Sequence, residues 1–380
     1  MAAGRLIDRV EILGAYVDGW DALAVTADRP MASPRWLLPW LRHTAPDAIE
    51  LRIVVVEDGG ELIGIAPFFA QHGSLGRVDY RLLGTPFTER REPLAMRGRE
   101  QEVAAETARL LASATPRPSL VALEAIDAGS AWPDLLARAY PGPIRPLVAR
   151  REVLHSPTVT LDGMSFDDWM QTKSGNFRQQ MRRMRRQLAE DGGAVRMTGP
   201  DDDLERDVAE FMRLHLGRWE GRGGSGLAHV EGFGPLLLDA ARELLPQERF
   251  RLFLVEVAGR AIGAGLFFAA GGEVHYFNGG FDEEFARHKP ALQTILSALE
   301  DAFGRGERRL DMAGGAQPYK LRFADSEAPL TWVNLRPRTA RYPLTRAQLL
   351  RQDARWYALK AFRSLPEERR EQVKRLLRRR

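Results

Sequence analysis

Three stretches in the second half of the chain carry the residue types that acid–base and anion chemistry require. The first, DMAGGAQPYKLRF (Asp311–Phe323), places a carboxylate at the end of a predicted strand, then a glycine turn, then Tyr319 and Lys320. Ligands of open sheets gather at strand ends of this kind. Lys320 could stabilise an oxyanion or hold a phosphate, and Tyr319 could protonate a leaving group. An ion pair between Asp311 and Lys320 that fixes the turn is the structural alternative.

The second stretch predicts a helix whose N-terminus could bind an anion. HKPA (His288–Ala291) follows a predicted strand and turn, and it places Pro290 in the first helical turn. The free N–H groups and the dipole of such a helix end attract negative charge, including a pyrophosphate. His288 and Lys289 add positive charge there. A plain connection between a sheet and a helix is the alternative.

The third stretch, LHLGRWEGRGGSG (Leu214–Gly226), concentrates polar and aromatic side chains beside a glycine-rich loop. His215 is a candidate base, and Arg218 and Trp219 are candidates for binding the substrate. A buried core histidine and a tryptophan that packs against a helix end are equally open interpretations. The sequence alone favours neither set of roles.

Five arginines, at positions 178, 182, 183, 185 and 186, lie on the helix that NFRQQMRRMRRQL predicts. Spacings of three and four residues keep several guanidinium groups on one side of a helix. Such a side binds phosphate or polyanions in some proteins and is only solvated in others. No aromatic residues alternate with these arginines, so the stacking of nucleic-acid bases is not indicated.

Composition and motif content exclude several other chemistries. The 380 residues include no Cys, which excludes a thiol nucleophile, a disulfide framework and a Cys-type zinc site. There is no Walker phosphate loop, no GxSxG elbow and no HExxH motif, and the 7 His are scattered, so we expect no metal. Neither a membrane-spanning apolar run nor a signal-peptide core is present. We therefore expect a cytoplasmic location, with peripheral contact to the inner membrane as an option.

The elements that must position these groups come from a repeated unit. LRIVVVEDGGELIGIAPFFAQHG (51–73) and FRLFLVEVAGRAIGAGLFFAAGG (250–272) align without a gap at an offset of 199 residues. Each copy has two apolar runs around a short glycine turn, which predicts a β-hairpin. Chance similarity between two hairpins is the alternative. The agreement in turn position and register favours a duplicated α/β unit.

Strand and helix patterns alternate along the rest of the chain, which predicts a mixed α/β (α+β) fold. Thr85–Gly98 has no clear period and is predicted to be a loop. Residues 336–380 contain 15 Lys and Arg against 4 Asp and Glu. Their mixture of Arg with Leu, Trp and Phe predicts a basic amphipathic helix. Such a helix contacts an anionic membrane or a nucleic acid, or it packs on the body of the protein.

Taken in order, these stretches resemble the GNAT-type acyltransferases of the double-domain kind, in the branch that contains cellulose-biosynthesis-associated proteins. That branch is related to the Fem-type aminoacyl transferases of peptidoglycan assembly. The resemblance covers residues 30–335 and rests on SPRWLLPW, GIAPFF, the arginine-rich helix, LHLGRWEGRGGSG, HYFNGGFD, HKPA and LDMAGGAQPYKLRF. It implies two tandem GNAT-like folds, residues 1–160 and 161–335, with the acyl-donor site in the second and a basic helical tail at 336–380.

The resemblance also implies direct transfer of an acyl group from acyl-CoA, with acetyl-CoA as the expected donor, to an amine. The residues implied to hold the CoA pyrophosphate are His288, Lys289, Ala291 and Leu292. The residues implied to hold its pantetheine arm are Phe277, Asn278 and Gly279. The residues implied to line the cleft are Asp311, Tyr319 and Lys320. Direct transfer needs a base for the attacking ammonium, and Asp311 and His215 are both candidates. Two features depart from the family pattern: Ala291 stands where Gly is usual, and the Q/RxxGxG/A loop is missing.

The sequence therefore predicts an N-acyltransferase that acts on an amine of a small molecule or of a cell-envelope or polysaccharide precursor. The alternative enzyme transfers an aminoacyl group from charged tRNA, as the arginine helix and basic tail indicate. A third interpretation is a non-catalytic, membrane-associated scaffold that has the same fold.

Overall fold

The computed structural model describes residues 2–46, 49–219, 230–315, 317–363 and 369, in which 13 strands form one sheet with helices on both faces. The strands are β1 (Ala3–Ile7), β2 (Glu50–Asp58), β3 (Glu61–His72), β4 (Val78–Leu82), β5 (Leu94–Ala95), β6 (Leu120–Asp127), β7 (Leu147–Thr160), β8 (Gly193–Met197), β9 (Phe250–Val257), β10 (Arg260–Ala270), β11 (Glu273–Phe281), β12 (Arg309–Asp311) and β13 (Ser326–Arg336). The helices are α1 (Val17–Thr26), α2 (Pro34–His43), α3 (Glu100–Ser113), α4 (Trp132–Ala139), α5 (Phe166–Thr172), α6 (Gly175–Glu190), α7 (Leu204–Trp219), α8 (Phe233–Leu244), α9 (Pro290–Gly304), α10 (Pro318–Phe323) and α11 (Tyr342–Arg363).

The strand order consists of two similar halves that run in opposite directions. It is β1-β2-β3-β4-β6-β13-β7-β12-β11-β10-β9-β8, with β5 beside β3. Each half contains one parallel pair, β4 with β6 and β11 with β12. At the centre, β13 pairs with β6, β7 pairs with β12, and β7 and β13 pair with each other. Each central strand therefore lies beside the half to which it does not belong in sequence.

The repeated hairpins predicted from the sequence are β2–β3 and β9–β10. In each hairpin one glycine allows a helix to lie directly on the sheet. A Cβ atom added to Gly64 would come within 2.3 Å of Val103 on α3, and one added to Gly263 would come within 2.3 Å of Pro290 on α9. Equivalent glycines thus make equivalent contacts, and the predicted duplication of a mixed α/β unit is confirmed.

A shared apolar core joins the two halves. Side chains of α1 and α2 from the first half pack together with those of α7, α8, β9 and β10 from the second. Trp36 on α2 contacts Phe268 on β10, with ring centroids 4.9 Å apart. Arg249, just before β9, donates a hydrogen bond of 2.6 Å to Asp21 on α1. The two halves are therefore held by buried contacts, both apolar and ionic.

Two basic helices flank this sheet. In α6, the spacing predicted one apolar face, and Phe177, Met181, Met184 and Leu188 are buried on it. The described part of the basic tail forms α11, which Arg336 and Arg151 hold through ion pairs to Asp353. No helix within the described ranges is both long enough and apolar enough to cross a membrane. The glycine-rich loop at 221–226 and most of the chain after 363 lie outside the described residues.

Candidate active site

The two halves meet around a cavity of about 810 Å³, which opens where β11 and β12 separate. These parallel strands pair over three residues, and the last pair is His275 with Asp311. β11 continues to Phe281 after β12 has ended, so its β12-facing edge has no strand partner there in the described chain. Main-chain groups of an unpaired edge can hydrogen-bond to a ligand. Those of Gly279 already have side-chain partners: its N–H donates to Asn278 Oδ1 over 3.1 Å, and its C=O accepts from His215 Nδ1.

A bulge in β11 shapes one wall of the cavity. The register between β10 and β11 shifts at Phe277, which is the extra residue. A bulge re-aims side chains and interrupts the ladder of main-chain hydrogen bonds. The residues predicted to hold a pantetheine arm, Phe277, Asn278 and Gly279, all line the cavity.

The first turn of α9 forms another part of the wall. Lys289, Ala291 and Leu292, three of the four residues predicted to hold a pyrophosphate, line the cavity. Lys289 occupies the N-cap position with a positive φ of 50°. Pro290 has no N–H, and the Leu292 N–H donates to the Lys289 carbonyl oxygen over 2.9 Å. The Ala291 N–H and the helix dipole therefore add positive potential to that of the Lys289 side chain. The fourth residue, His288, is buried and does not line the cavity, and its Nε2 lies 3.3 Å from an oxygen of Asp191.

Tyr319 and Lys320 both lie in the cavity, on the short helix α10. Lys320 Nζ donates to the carbonyl oxygens of Ala313 and Gly314 at 3.2 and 3.4 Å, and 4% of the residue is exposed. Burial lowers the pKa of Lys320 to about 8. Tyr319 shares a hydrogen bond with Tyr276, and burial raises the pKa of Tyr319. The cavity therefore holds the buried ammonium group of Lys320 and the paired phenols of Tyr319 and Tyr276 next to the free edge of β11.

The first half of the chain contributes a carboxylate to the same cavity. Glu89, in the loop between β4 and β5, lines the cavity and accepts a hydrogen bond of 2.9 Å from the Gly314 N–H. Burial raises the pKa of Glu89, and the negative charge of Asp311 adds to this effect, whereas Lys320 and Arg90 oppose it. A carboxylate with a raised pKa in a cavity is suited to accept a proton.

Asp311 is fully buried and does not line the cavity. It accepts hydrogen bonds from Ser156 Oγ and from a main-chain N–H, both of 2.6 Å, and it pairs with Arg90. Burial favours the neutral carboxyl, but Arg90 and the other partners keep the pKa of Asp311 below its ordinary value. Arg90 also pairs with Asp127 on β6, so its guanidinium joins the two halves. Among the described residues, no ion pair links Asp311 to Lys320, and Asp311 acting as the base stays a prediction.

α7 places the residues of LHLGRWEGRGGSG in different surroundings. His215 is fully buried outside the cavity lining, its Nδ1 donates to the Gly279 carbonyl oxygen over 3.2 Å, and burial lowers its pKa. Arg218 lines the cavity, and its guanidinium carbon lies 4.4 Å from the centroid of the Phe281 ring. Trp219 ends α7, and its side chain lies outside the described residues. Of these three side chains, only that of Arg218 is seen in the cavity wall.

Sequence analysis did not identify Phe87 or Glu89 as cavity residues. Both belong to the predicted loop Thr85–Gly98, which has 14 residues and no period. Loops of that length inside compact domains are often functional. This loop also contains four consecutive charged residues, Glu89–Glu92. The length and the charges of this loop are the sequence features that could have identified it as part of a functional site.

Residues 175–321 match a family model described as an acetyltransferase (GNAT) domain. The second half of the chain is therefore similar to a GNAT domain. The matched residues include the β11 edge, the start of α9, Tyr319 and Lys320, so one side of the cavity belongs to this domain. Glu89 lies outside the match. The first half of the chain therefore contributes Pro86, Phe87 and the carboxylate of Glu89 to a cavity that the matched residues otherwise line.

Solved structures share the fold over most of the chain. The crystal structure of FemX aligns with a TM-score of 0.61 at 10% identity, over 83% of this chain and 95% of FemX. The C-terminal domain of a putative lysylphosphatidylglycerol synthetase from Agrobacterium fabrum aligns with a TM-score of 0.57 at 9% identity, over 89% and 96% of the two chains. L-PGS from Bacillus licheniformis aligns with a TM-score of 0.55 at 13% identity, over 90% and 96%. No curated protein matches the sequence significantly. These likenesses concern the fold. Together with the family-model match they confirm the GNAT-like tandem architecture expected from the sequence, whereas the place within the cellulose-biosynthesis-associated branch stays a prediction.

Proposed function

We propose that the protein is an N-acyltransferase that transfers an acyl group from acyl-CoA directly to an amine. The observation that carries this proposal is the position of Glu89 and Lys320. They come from different halves of the chain and lie in one cavity, where β11 and β12 separate. Direct attack of an amine on a thioester needs a base for the ammonium proton and a positive group for the oxyanion. The two side chains supply these groups.

The donor would lie across the GNAT domain. Its pantetheine arm would hydrogen-bond to the free edge of β11 at Phe277–Gly279, in place of a strand. Its pyrophosphate would bind the first turn of α9, where Lys289 adds a cation. A cavity of about 810 Å³ has the size of other small-molecule sites. These features support acyl-CoA, and acetyl-CoA first, as the donor.

The proposed reaction needs no covalent enzyme intermediate. The acceptor ammonium gives a proton to Glu89, and its nitrogen attacks the thioester carbonyl carbon. The C–N bond forms while the carbonyl oxygen becomes negative beside Lys320. The C–S bond then breaks, and Tyr319 or a water molecule protonates the thiolate. The nitrogen, still cationic after the attack, gives its second proton to the phenolate or hydroxide left behind, so the products are a neutral amide and the free thiol of CoA. We assign the base to Glu89 rather than to Asp311 or His215, because neither of those side chains lines the cavity.

The proposed acceptor is an amine of a small molecule or of a precursor of the cell envelope or of a polysaccharide. An acceptor of the envelope kind would be met at the cytoplasmic face of the inner membrane, and the basic tail would hold the enzyme there. Two observations support the contact: α11 exposes 55% of Leu350 and 63% of Tyr357, and residues 336–380 carry 15 Lys and Arg. Apolar side chains among basic ones bind anionic lipid surfaces.

A second candidate function is the transfer of an aminoacyl group from charged tRNA. It is favoured by the fold shared with FemX and by the exposed arginines Arg182, Arg183 and Arg186 of α6. This function predicts RNA binding that weakens steeply with salt. A non-catalytic scaffold would instead bind anionic vesicles through its tail and would bind neither donor.

Thermal unfolding with and without acetyl-CoA and longer acyl-CoAs tests the proposal. A ligand that binds only the folded protein must raise the unfolding midpoint. A saturable increase, followed by CoA release in the presence of an amine from an acceptor screen, is the expected result. An unchanged midpoint with every acyl-CoA would overturn the CoA function, and a salt titration with tRNA would then decide between aminoacyl transfer and the scaffold.

A further inference from the structure

A second, polar cavity lies next to the one that holds Glu89 and Lys320. Its volume is about 560 Å³, and α6 and the residues just before α9 line it. Three of the lining side chains are cations, Arg183, Arg287 and Lys289, and four are amides. No carboxylate lines it among the described residues. A cavity with cations and amides but no acidic groups has the chemistry of an anion site.

Carboxylates neutralise only one of the three cations of this cavity among the described residues. Arg287 pairs with Asp191 at 3.2 Å. Within the described ranges, neither Arg183 nor Lys289 has a carboxylate oxygen within the 4.0 Å of an ion pair. Arg185, which lies on α6 as Arg183 does, pairs with Glu300. Uncompensated cations that face a cavity raise its positive potential and attract an anionic ligand.

Lys289 connects the polar cavity to the first one, because it lines both. It is also the N-cap residue of α9, so the Ala291 N–H and the positive end of the helix dipole lie at the same place. A ligand with its reactive end near Lys320 and a pyrophosphate at this helix start would extend from there toward Arg183 on α6. The two cavities therefore follow the length of one elongated, anionic ligand.

We propose that the polar cavity binds the phosphate-bearing nucleotide end of the acyl donor. This inference rests on the proposed function, since the donor's thioester or ester end must occupy the first cavity. Arg183 provides a planar fork of donors that matches a terminal phosphate, and the amides can both donate to and accept from polar groups of the nucleotide. The shared chemistry is a nucleotide phosphate, which CoA carries at the 3′ position of its ribose and which the acceptor end of tRNA carries in its backbone.

Calorimetric titration of the full-length protein with CoA and with 3′-dephospho-CoA tests the assignment. The test variant is Arg183→Gln, and the matched control is Arg182→Gln, an exposed arginine of the same helix that does not line the cavity. A charge-assisted hydrogen bond to phosphate predicts that Arg183→Gln weakens CoA binding by about 10-fold or more. The variant should leave binding of 3′-dephospho-CoA unchanged, and Arg182→Gln should change neither affinity.

Titration of the same variants with total tRNA shows whether the phosphate belongs to CoA or to tRNA. An assay of acyl transfer from acetyl-CoA tests the proposed function separately from the phosphate site. If tRNA binds and CoA does not, Arg183→Gln must weaken tRNA binding more than Arg182→Gln does. Equal behaviour of the two variants with every ligand that binds overturns the phosphate site, while turnover with acetyl-CoA leaves the proposed function standing. If neither CoA nor tRNA binds the wild-type protein, both claims fail.

Discussion

At the scale of single residues, Glu89 is the side chain on which the proposed proton transfer depends. Glu89→Gln keeps the shape of the side chain and an oxygen that can accept from the Gly314 N–H. It removes the basic group. Loss of a general base predicts a fall in kcat of about 10²–10⁴-fold, with acyl-CoA affinity unchanged in titrations. Wild-type kcat in this variant would return the base role to Asp311 or His215, to be tested as Asp311→Asn and His215→Gln.

Lys320 is the second residue whose removal separates chemistry from folding. Lys320→Ala should lower kcat by about 10²–10³-fold, because the oxyanion loses its positive neighbour. The matched control is Lys173→Ala. Lys173 is half-buried beside α10, and its Nζ, like that of Lys320, donates to a main-chain carbonyl oxygen, here that of Phe323 over 2.6 Å, but it does not line the cavity that holds Lys320. We expect similar decreases in the unfolding midpoint for both variants and a loss of turnover for Lys320→Ala alone. Equal turnover in the two variants would contradict a role for Lys320 in the reaction.

The pKa values of the same two groups predict a bell-shaped dependence of kcat on pH. Activity requires an ionised Glu89, whose pKa burial raises, so the acid limb should lie above the ordinary carboxyl range. Activity also requires a protonated Lys320, whose pKa burial lowers to about 8, so kcat should decline as pH rises through that value. Lys320→Arg tests the sign, because a guanidinium stays protonated and should move the alkaline limb upward. An alkaline limb that stays in place would assign it to another group.

The residues of the second half were accessible to sequence reasoning because they are close together in the chain. The strand end, the glycine turn and the Tyr319-Lys320 pair predicted a cavity wall, and both side chains lie in it. Glu89 was not accessible, because its contact with Gly314 spans 225 positions and no local pattern reports such a pairing. The sequence also does not show which polar side chains are buried away from the cavity. His215 and Asp311 have the chemistry of a base, but both lie outside the cavity lining.

At the scale of elements, the contact between a hairpin and its helix sets the position of the donor site. Gly263→Ala would bring a Cβ within 2.3 Å of Pro290 and displace the start of α9. Gly64→Ala is the matched control, since it would crowd Val103 of α3 to the same extent in the other half. Overpacking of this kind costs about 1–3 kcal/mol of folding free energy.

We therefore expect both glycine variants to lower the unfolding midpoint to a similar degree. Only Gly263→Ala should also weaken acyl-CoA binding, because α9, unlike α3, lines the cavity that holds Glu89 and Lys320. Thermal unfolding and calorimetric titration of the two variants provide the comparison. Equal donor affinity in both variants would show that the donor does not use the first turn of α9.

The same elements show why the repeat was visible and the sheet order was not. The two hairpin copies share turn position and register, and a short turn is enough to predict that β2 pairs with β3 and β9 with β10. The central pairing of β7 with β13 joins segments 168 positions apart at its first pair, Ser326 with Thr158. Alternating apolar residues predict a strand but do not specify its partner. The exchange of β7 and β13 between the halves therefore had to come from the structure.

At the scale of the whole molecule, this exchange determines how the protein unfolds. β7 precedes the predicted boundary at 160/161 and yet pairs with β12, while β13 follows that boundary and pairs with β6. Trp36 and Phe268 add an apolar contact across the halves, and Arg90 joins Asp127 to Asp311. When one half unfolds, the central strand of the other half loses its main-chain hydrogen-bond partner and the buried charges lose their ion-pair partners.

The full chain should consequently unfold in one transition, with calorimetric and van't Hoff enthalpies that agree, although its length alone would allow two. Fragments 1–160 and 161–380 should not fold when expressed separately, because the second lacks β7 and leaves β13 without a partner. Co-expression of the fragments should restore a folded complex that binds acyl-CoA, since every strand is then present. Two separate transitions, of which an acyl-CoA shifts only the second, would contradict this prediction. The halves would then be independent domains, and donor binding would not stabilise the half that carries Glu89.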